Sequence, residues 1–289
     1  MNKIPAGKTI AYAYSFTFGH LGTIIGRIWL PLVTLTVLNF LPQLAGGDLD
    51  ATGQSPLAEG SQAIGRVAIT ALTLLLYSVI YVAVTRQALG LRQGGATVHF
   101  ALGMPEFRVF GALLLLFVVM MAFIGTYFGV VVILASVGGN SAPMEGAATA
   151  IAILGAAALL YALVRLSFLV APVTVAEEHI NLGRGWSLTR GNFWRILAVM
   201  LAIGLPIFVV YAIGATALMG GELAAPVPAG IAGNEAKLLQ HMMQIVNRHL
   251  PELTGLELVL APFSLGLNLG AAAFAYRALV QDTAVVRAA

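Results

Sequence analysis

The sequence predicts an all-α integral membrane protein with six transmembrane helices, and three observations carry that reading. Of 289 residues, 59% are hydrophobic and only 9% are Asp, Glu, Lys or Arg. An ordinary soluble domain has about 25% charged residues, so this chain has too few to solvate a globule of its size. Six apolar runs are long enough to cross a hydrocarbon core of about 30 Å, which takes roughly 20 helical residues. Lys and Arg are unequally divided between alternate loops, as expected when positive loops are retained in the cytoplasm. The same composition excludes a disordered, collagen-like, disulfide-framework or nucleic-acid-binding chain, because charge is scarce, Gly and Pro follow no period and Cys is absent.

The spans fall at residues 22–42, 67–85, 109–137, 146–164, 196–221 and 258–276. The first run is too long for a secretory signal and no small-residue cleavage site follows it, so it is expected to stay as an anchor. The even-numbered spans are framed by charge: Arg66 and Arg86, Glu145 and Arg165, and Glu257 and Arg277 each enclose 19 uncharged residues. Placing the N-terminus inside puts 12 of the 15 basic residues on the cytoplasmic side and leaves Arg66, Lys237 and Arg248 outside. Both termini are therefore expected in the cytoplasm. In the longest outer loop, Asn234 can cap an interfacial helix whose apolar residues Leu238, Met242, Ile245 and Val246 follow 3.6-residue spacing.

The chain also matches itself weakly. Segments 14–19, 98–103 and 186–191 each precede an odd-numbered span, and their glycines Gly19, Gly103 and Gly191 are 84 and 88 residues apart. After each glycine come a basic residue (Arg27, Arg108, Arg195), a span, an outer loop, and a second span closing on a Tyr and an Arg. This predicts one transmembrane domain over 1–289, built as three parallel repeats of about 9–92, 93–180 and 181–289. Each repeat is a short cytoplasmic amphipathic segment followed by a helical hairpin.

No acid or base lies deep inside the predicted spans, where an ionisable group usually marks function. Asn39 and Asn268 are the intramembrane polar candidates, and helix-to-helix hydrogen bonding competes with substrate contact as their role. Gly-x-x-x-Gly pairs at Gly22/Gly26, Gly125/Gly129 and Gly266/Gly270 let backbones approach closely, within the chain or between copies. Pro31 and Pro206 lie inside odd-numbered spans and can kink them. Arg86, Arg165 and Arg277 occupy equivalent repeat positions. With Arg184, Trp186, Arg190, Trp194 and Arg195 they form a basic-aromatic inner rim suited to anionic headgroups. The five histidines show no metal-binding spacing, and Glu177, Glu178 and His179 read as a solvated loop. No metal, cofactor or catalytic group is expected.

The stretch Arg165-Leu166-Ser167, then Glu177-Glu178, then 185–195 (Gly-Trp-Ser-Leu-Thr-Arg-Gly-Asn-Phe-Trp-Arg) resembles bacterial six-span proteins that include the membrane domain of some glycerophosphodiester phosphodiesterases and its stand-alone relatives. The matching stretch is about 30 residues, a tenth of the chain. The resemblance implies a six-helix module of the bacterial inner membrane. Unlike the enzyme version, this chain is expected to have no soluble catalytic domain, so the resemblance carries over no catalytic residue.

The expected function is that of a non-catalytic scaffold, assembly factor or accessory subunit. Its partners would be membrane lipids and, through small-residue faces, other membrane proteins or a second copy of itself, with no nucleic acid. The rival is a channel or transporter for a lipid or another weakly polar molecule. Polar Thr, Tyr and Asn side chains facing one cavity favour the rival, and the same side chains paired between helices favour the scaffold.

Overall fold

The computed structural model describes residues 3–44, 56–91, 102–138, 142–223 and 235–288. Among the described residues the chain forms ten α-helices and no strand: α1 (Ala6–Gly19), α2 (Leu21–Leu44), α3 (Pro56–Ala88), α4 (Met104–Gly138), α5 (Ala142–Ser167), α6 (Val170–Glu177), α7 (Leu182–Leu188), α8 (Phe193–Leu223), α9 (Glu235–Arg248) and α10 (Leu250–Ala288). Six helical windows are long and apolar enough to cross a membrane, at Leu21–Leu38, Ile64–Ala88, Met104–Ile133, Thr149–Glu177, Phe193–Leu223 and Leu250–Val280. Each contains or overlaps one predicted span. Their outer faces carry large exposed apolar side chains, among them Phe117, Val132, Leu154, Leu205 and Ile213, more than a water-soluble surface sustains. The chain is a multi-pass membrane protein.

The predicted boundaries fall short at several ends. α10 begins at Leu250, not near 258, because Pro251 sits in its first turn, where a missing N–H costs nothing. Glu257 is consequently inside the helix and inside the apolar window. The fourth window does not stop at Arg165. The chain breaks near Phe168 and resumes as the buried helix α6, ending on Glu178 with φ +55. Glu177 is thus the last residue of a packed helix, whereas Glu178 and His179 are exposed.

Sequence-adjacent spans pack as hairpins, α2 on α3, α4 on α5 and α8 on α10. α10 is the centre of the bundle. Half of its membrane window is buried, against 17% for those of α4 and α8, and it touches α1, α2, α3, α6 and α8. The shared core includes Ile24, Ile28, Ile80, Leu169, Ile196 and Ala271.

The segment ahead of the first span packs along α10. Tyr12 meets Phe274, and Phe18 meets Phe263, so α1 runs antiparallel to α10. The glycines of α10 make the groove for it. A Cβ on Gly266 would fall 2.8 Å from Thr17 Cγ2, and one on Gly270 would fall 2.9 Å from Phe16 Cδ1. That Gly-x-x-x-Gly pair therefore serves packing within the chain. The backbone breaks at His20, and α2 carries on toward the far side. The corresponding segment of the second predicted repeat falls mostly on 92–101, outside the described residues; that of the third is the seven-residue α7, capped by Asn181, whose side chain accepts from the Arg184 N–H at 2.9 Å.

Candidate functional site

Two regions hold the chemistry, a basic end of the bundle and a cavity nearer the end that carries α9. At the basic end, Arg165 is 4% exposed and its guanidinium is engaged by protein on every side. Nε donates to Thr189 Oγ1 at 3.2 Å, one terminal nitrogen donates to the Tyr161 hydroxyl at 2.8 Å, and the other donates to the Trp186 carbonyl. The Trp186 ring lies 3.8 Å beneath the cation. This clamp ties α5 to α7 and leaves Arg165 no face for a headgroup. Arg184 pairs with Glu177 at 3.1 Å, and Tyr276 donates to the same carboxylate oxygen at 3.4 Å, joining α6, α7 and α10. Arg195 donates to the Ile4 carbonyl at 2.9 Å, and Asn192 accepts from the Ile4 N–H at 3.0 Å, fastening the N-terminal segment to the start of α8.

The remaining rim candidates are accessible. Arg190 and Trp194 are exposed, and Arg86 and Arg277 are half-buried. Arg277 lies against Gly90, where φ is +67 and α3 ends in a Schellman turn: the Leu91 N–H reaches the Arg86 carbonyl and the Gly90 N–H reaches that of Gln87. Of the eight rim residues, Arg165, Arg184 and Arg195 are tied to protein partners.

The cavity has a volume of about 510 Å³, within the usual range for ligand sites. It opens between α2, α3, α8 and α10. Each of the four helices contributes a polar side chain: Thr36 from α2, Tyr77 from α3, Tyr211 from α8, and Thr254, Glu257 and Ser264 from α10. Thr36 and Thr254 donate to carbonyls of their own helices, Leu32 at 3.0 Å and Leu250 at 2.8 Å, which leaves hydroxyl lone pairs as acceptors. The lining along α10 runs from Thr254 to Leu265, about 17 Å at 1.5 Å per residue, or about half a hydrocarbon core.

An apolar groove of about 250 Å³ adjoins the cavity and shares Ile207 and Leu260 with it. Its polar member, Tyr14, is engaged elsewhere: the hydroxyl donates to the Ala202 carbonyl at 3.1 Å. That carbonyl is the one Pro206 deprives of its helical N–H partner. Pro262 acts similarly in α10, removing the N–H that would bond Leu258, a cavity residue.

Sequence reading missed the cavity and its one acid, since Glu257 resembled a span boundary. A clue is present in Thr36, Tyr77, Tyr211 and Ser264, polar residues of four different spans, but nothing in the chain shows that they converge. Asn268 is exposed and donates to the Ser264 carbonyl of its own helix at 2.9 Å. The side chain of Asn39 lies outside what the structure describes. Gly125 and Gly129 are open, with nothing near an added Cβ. Near the α9 end, Glu222 accepts from Arg248 at 3.0 Å and lies 3.3 Å from His249. Among the described residues, no group of three or more His, Cys, Asp or Glu is placed to hold a metal ion.

No protein-family model, curated protein or solved structure matches the chain.

Proposed function

We propose that this is a non-catalytic protein of the bacterial inner membrane that takes an amphiphile, a lipid or another weakly polar molecule, from the bilayer into the cavity between α2, α3, α8 and α10. The basic end faces the cytoplasm with both termini, by the usual bias of positive loops, and the cavity then lies in the outer half of the membrane. The observation that carries this reading is the convergence of polar side chains from four spans on one chamber, with an apolar groove beside it. Polar groups facing a shared space at membrane depth are costly unless something polar fills it. An amphiphile supplies a head for the chamber and a tail for the groove. Arg86, Arg190, Trp194 and Arg277 anchor the other end to anionic headgroups.

The test is native mass spectrometry of the protein released from lipid nanodiscs. The wild type is expected to retain one amphiphile class, and Ser264→Trp, which fills the chamber, is expected to lose it while melting normally. Equal retention by both contradicts the proposal.

One observation favours a second reading, as scaffold or subunit. The exposed Gly125/Gly129 pair of α4 admits a close helix partner. A stoichiometric protein partner lost on Gly125→Leu supports it, and a monomer without partners removes it.

A further inference from the structure

We infer that the cavity selects an amphiphile with a cationic amine head, and that Glu257 binds that head. This rests on the cavity reading above and names the ligand's chemistry.

Glu257 is the one acid in the cavity lining, and no Lys, Arg or His stands beside it there. Three acids near the ends of the bundle are matched: Glu222 has Arg248 and His249, Glu177 has Arg184, and Glu178 has Arg108. No described residue pairs with the Glu257 carboxylate. The side chain is exposed, yet it sits inside the apolar window Leu250–Val280, where an unmatched carboxylate at membrane depth is costly and a cation brought by a ligand lowers the cost.

The rest of the lining suits the same head. Thr36 and Thr254 direct their hydroxyl protons into their own helices and present lone pairs. Tyr77, Tyr211 and Phe208 add aromatic rings, which attract ammonium groups. An aromatic chamber with one negative charge and no positive one favours an ammonium head and repels a phosphate or sulfate head. The tail follows the apolar groove past Ile207 and Leu260.

The chemistry has two sources, the amine of an aminophospholipid and a free lipophilic amine. Dodecylamine and dodecanol share a tail and differ in the head, so they serve as probes. Native mass spectrometry of the full chain in nanodiscs is expected to show dodecylamine bound about tenfold more tightly than dodecanol, the scale of one charge-assisted contact. Glu257→Gln, which keeps the shape, is expected to abolish the preference. Glu252→Gln, an acid on the same helix outside the cavity lining, is expected to leave it intact.

Displacement of dodecylamine in phosphatidylethanolamine discs but not in phosphatidylglycerol discs assigns the head to an aminophospholipid; equal retention assigns it to a free amine. If both probes bind equally and both are excluded by Ser264→Trp, the cavity reading stands and the assignment to Glu257 is overturned. If neither probe responds to Ser264→Trp, the cavity reading falls and takes this inference with it.

Discussion

Arg165 is a buried cation held entirely by protein atoms, with Thr189, Tyr161 and the Trp186 carbonyl accepting its protons. Hydrogen bonds to a charged group contribute about 1.5 to 3 kcal/mol each, and this substitution removes three of them. Arg165→Ala is therefore expected to lower the melting temperature sharply in detergent. Lys should recover little, because it cannot fork to three acceptors and stack on Trp186 together. An Arg165→Ala variant that melts like the wild type removes the clamp. Tyr14 offers a finer test, since its hydroxyl satisfies the Ala202 carbonyl that Pro206 leaves open. Tyr14→Phe is expected to cost about 1 kcal/mol. The cost should shrink in a Pro206→Ala background, where the backbone N–H returns, and additive losses across that double-mutant cycle would contradict the pairing. Sequence reading found Arg165 and Pro206 but not their partners. Tyr14 and Ala202 are 188 residues apart, and no local spacing connects them.

The six apolar runs were legible because lipid imposes a length and forbids charge, and both constraints can be counted along the chain. Helix ends were less legible. The constraint stops at the interface, whereas helical hydrogen bonding does not, so α3 starts at Pro56 and α10 at Leu250. α6 was hidden for a related reason: Arg165 looked like the end of a span, and only the tertiary structure shows that Val170–Glu177 is packed against α3, α4 and α10. The placement of α1 in the groove of Gly266 and Gly270 can be tested with a chain that contains no Cys. A Thr17→Cys/Gly266→Cys pair is expected to form a disulfide on mild oxidation, because Thr17 Cγ2 lies 2.8 Å from the position of a Cβ on Gly266. A Thr17→Cys/Gly125→Cys pair should not, as nothing lies near Gly125. Failure of the first pair to cross-link would detach α1 from α10.

The proposed orientation of the bundle rests on the charge difference between its ends, and the same Cys-free background tests it. In intact spheroplasts, Met243→Cys on α9 is expected to react with a membrane-impermeant maleimide, and Arg190→Cys only after lysis; the opposite pattern inverts the topology. The cavity is a property of the assembled bundle, since four helices must meet before Thr36, Tyr77, Tyr211 and Glu257 face one space. That is why composition placed the chain in a membrane yet left its ligand open. The most direct measurement is an experimental density map of the protein in native-lipid nanodiscs. The account predicts elongated density with its polar end among Glu257, Tyr77 and Tyr211 and its tail along Ile207 and Leu260. A chamber closed by its own side chains, or holding water alone, would contradict it.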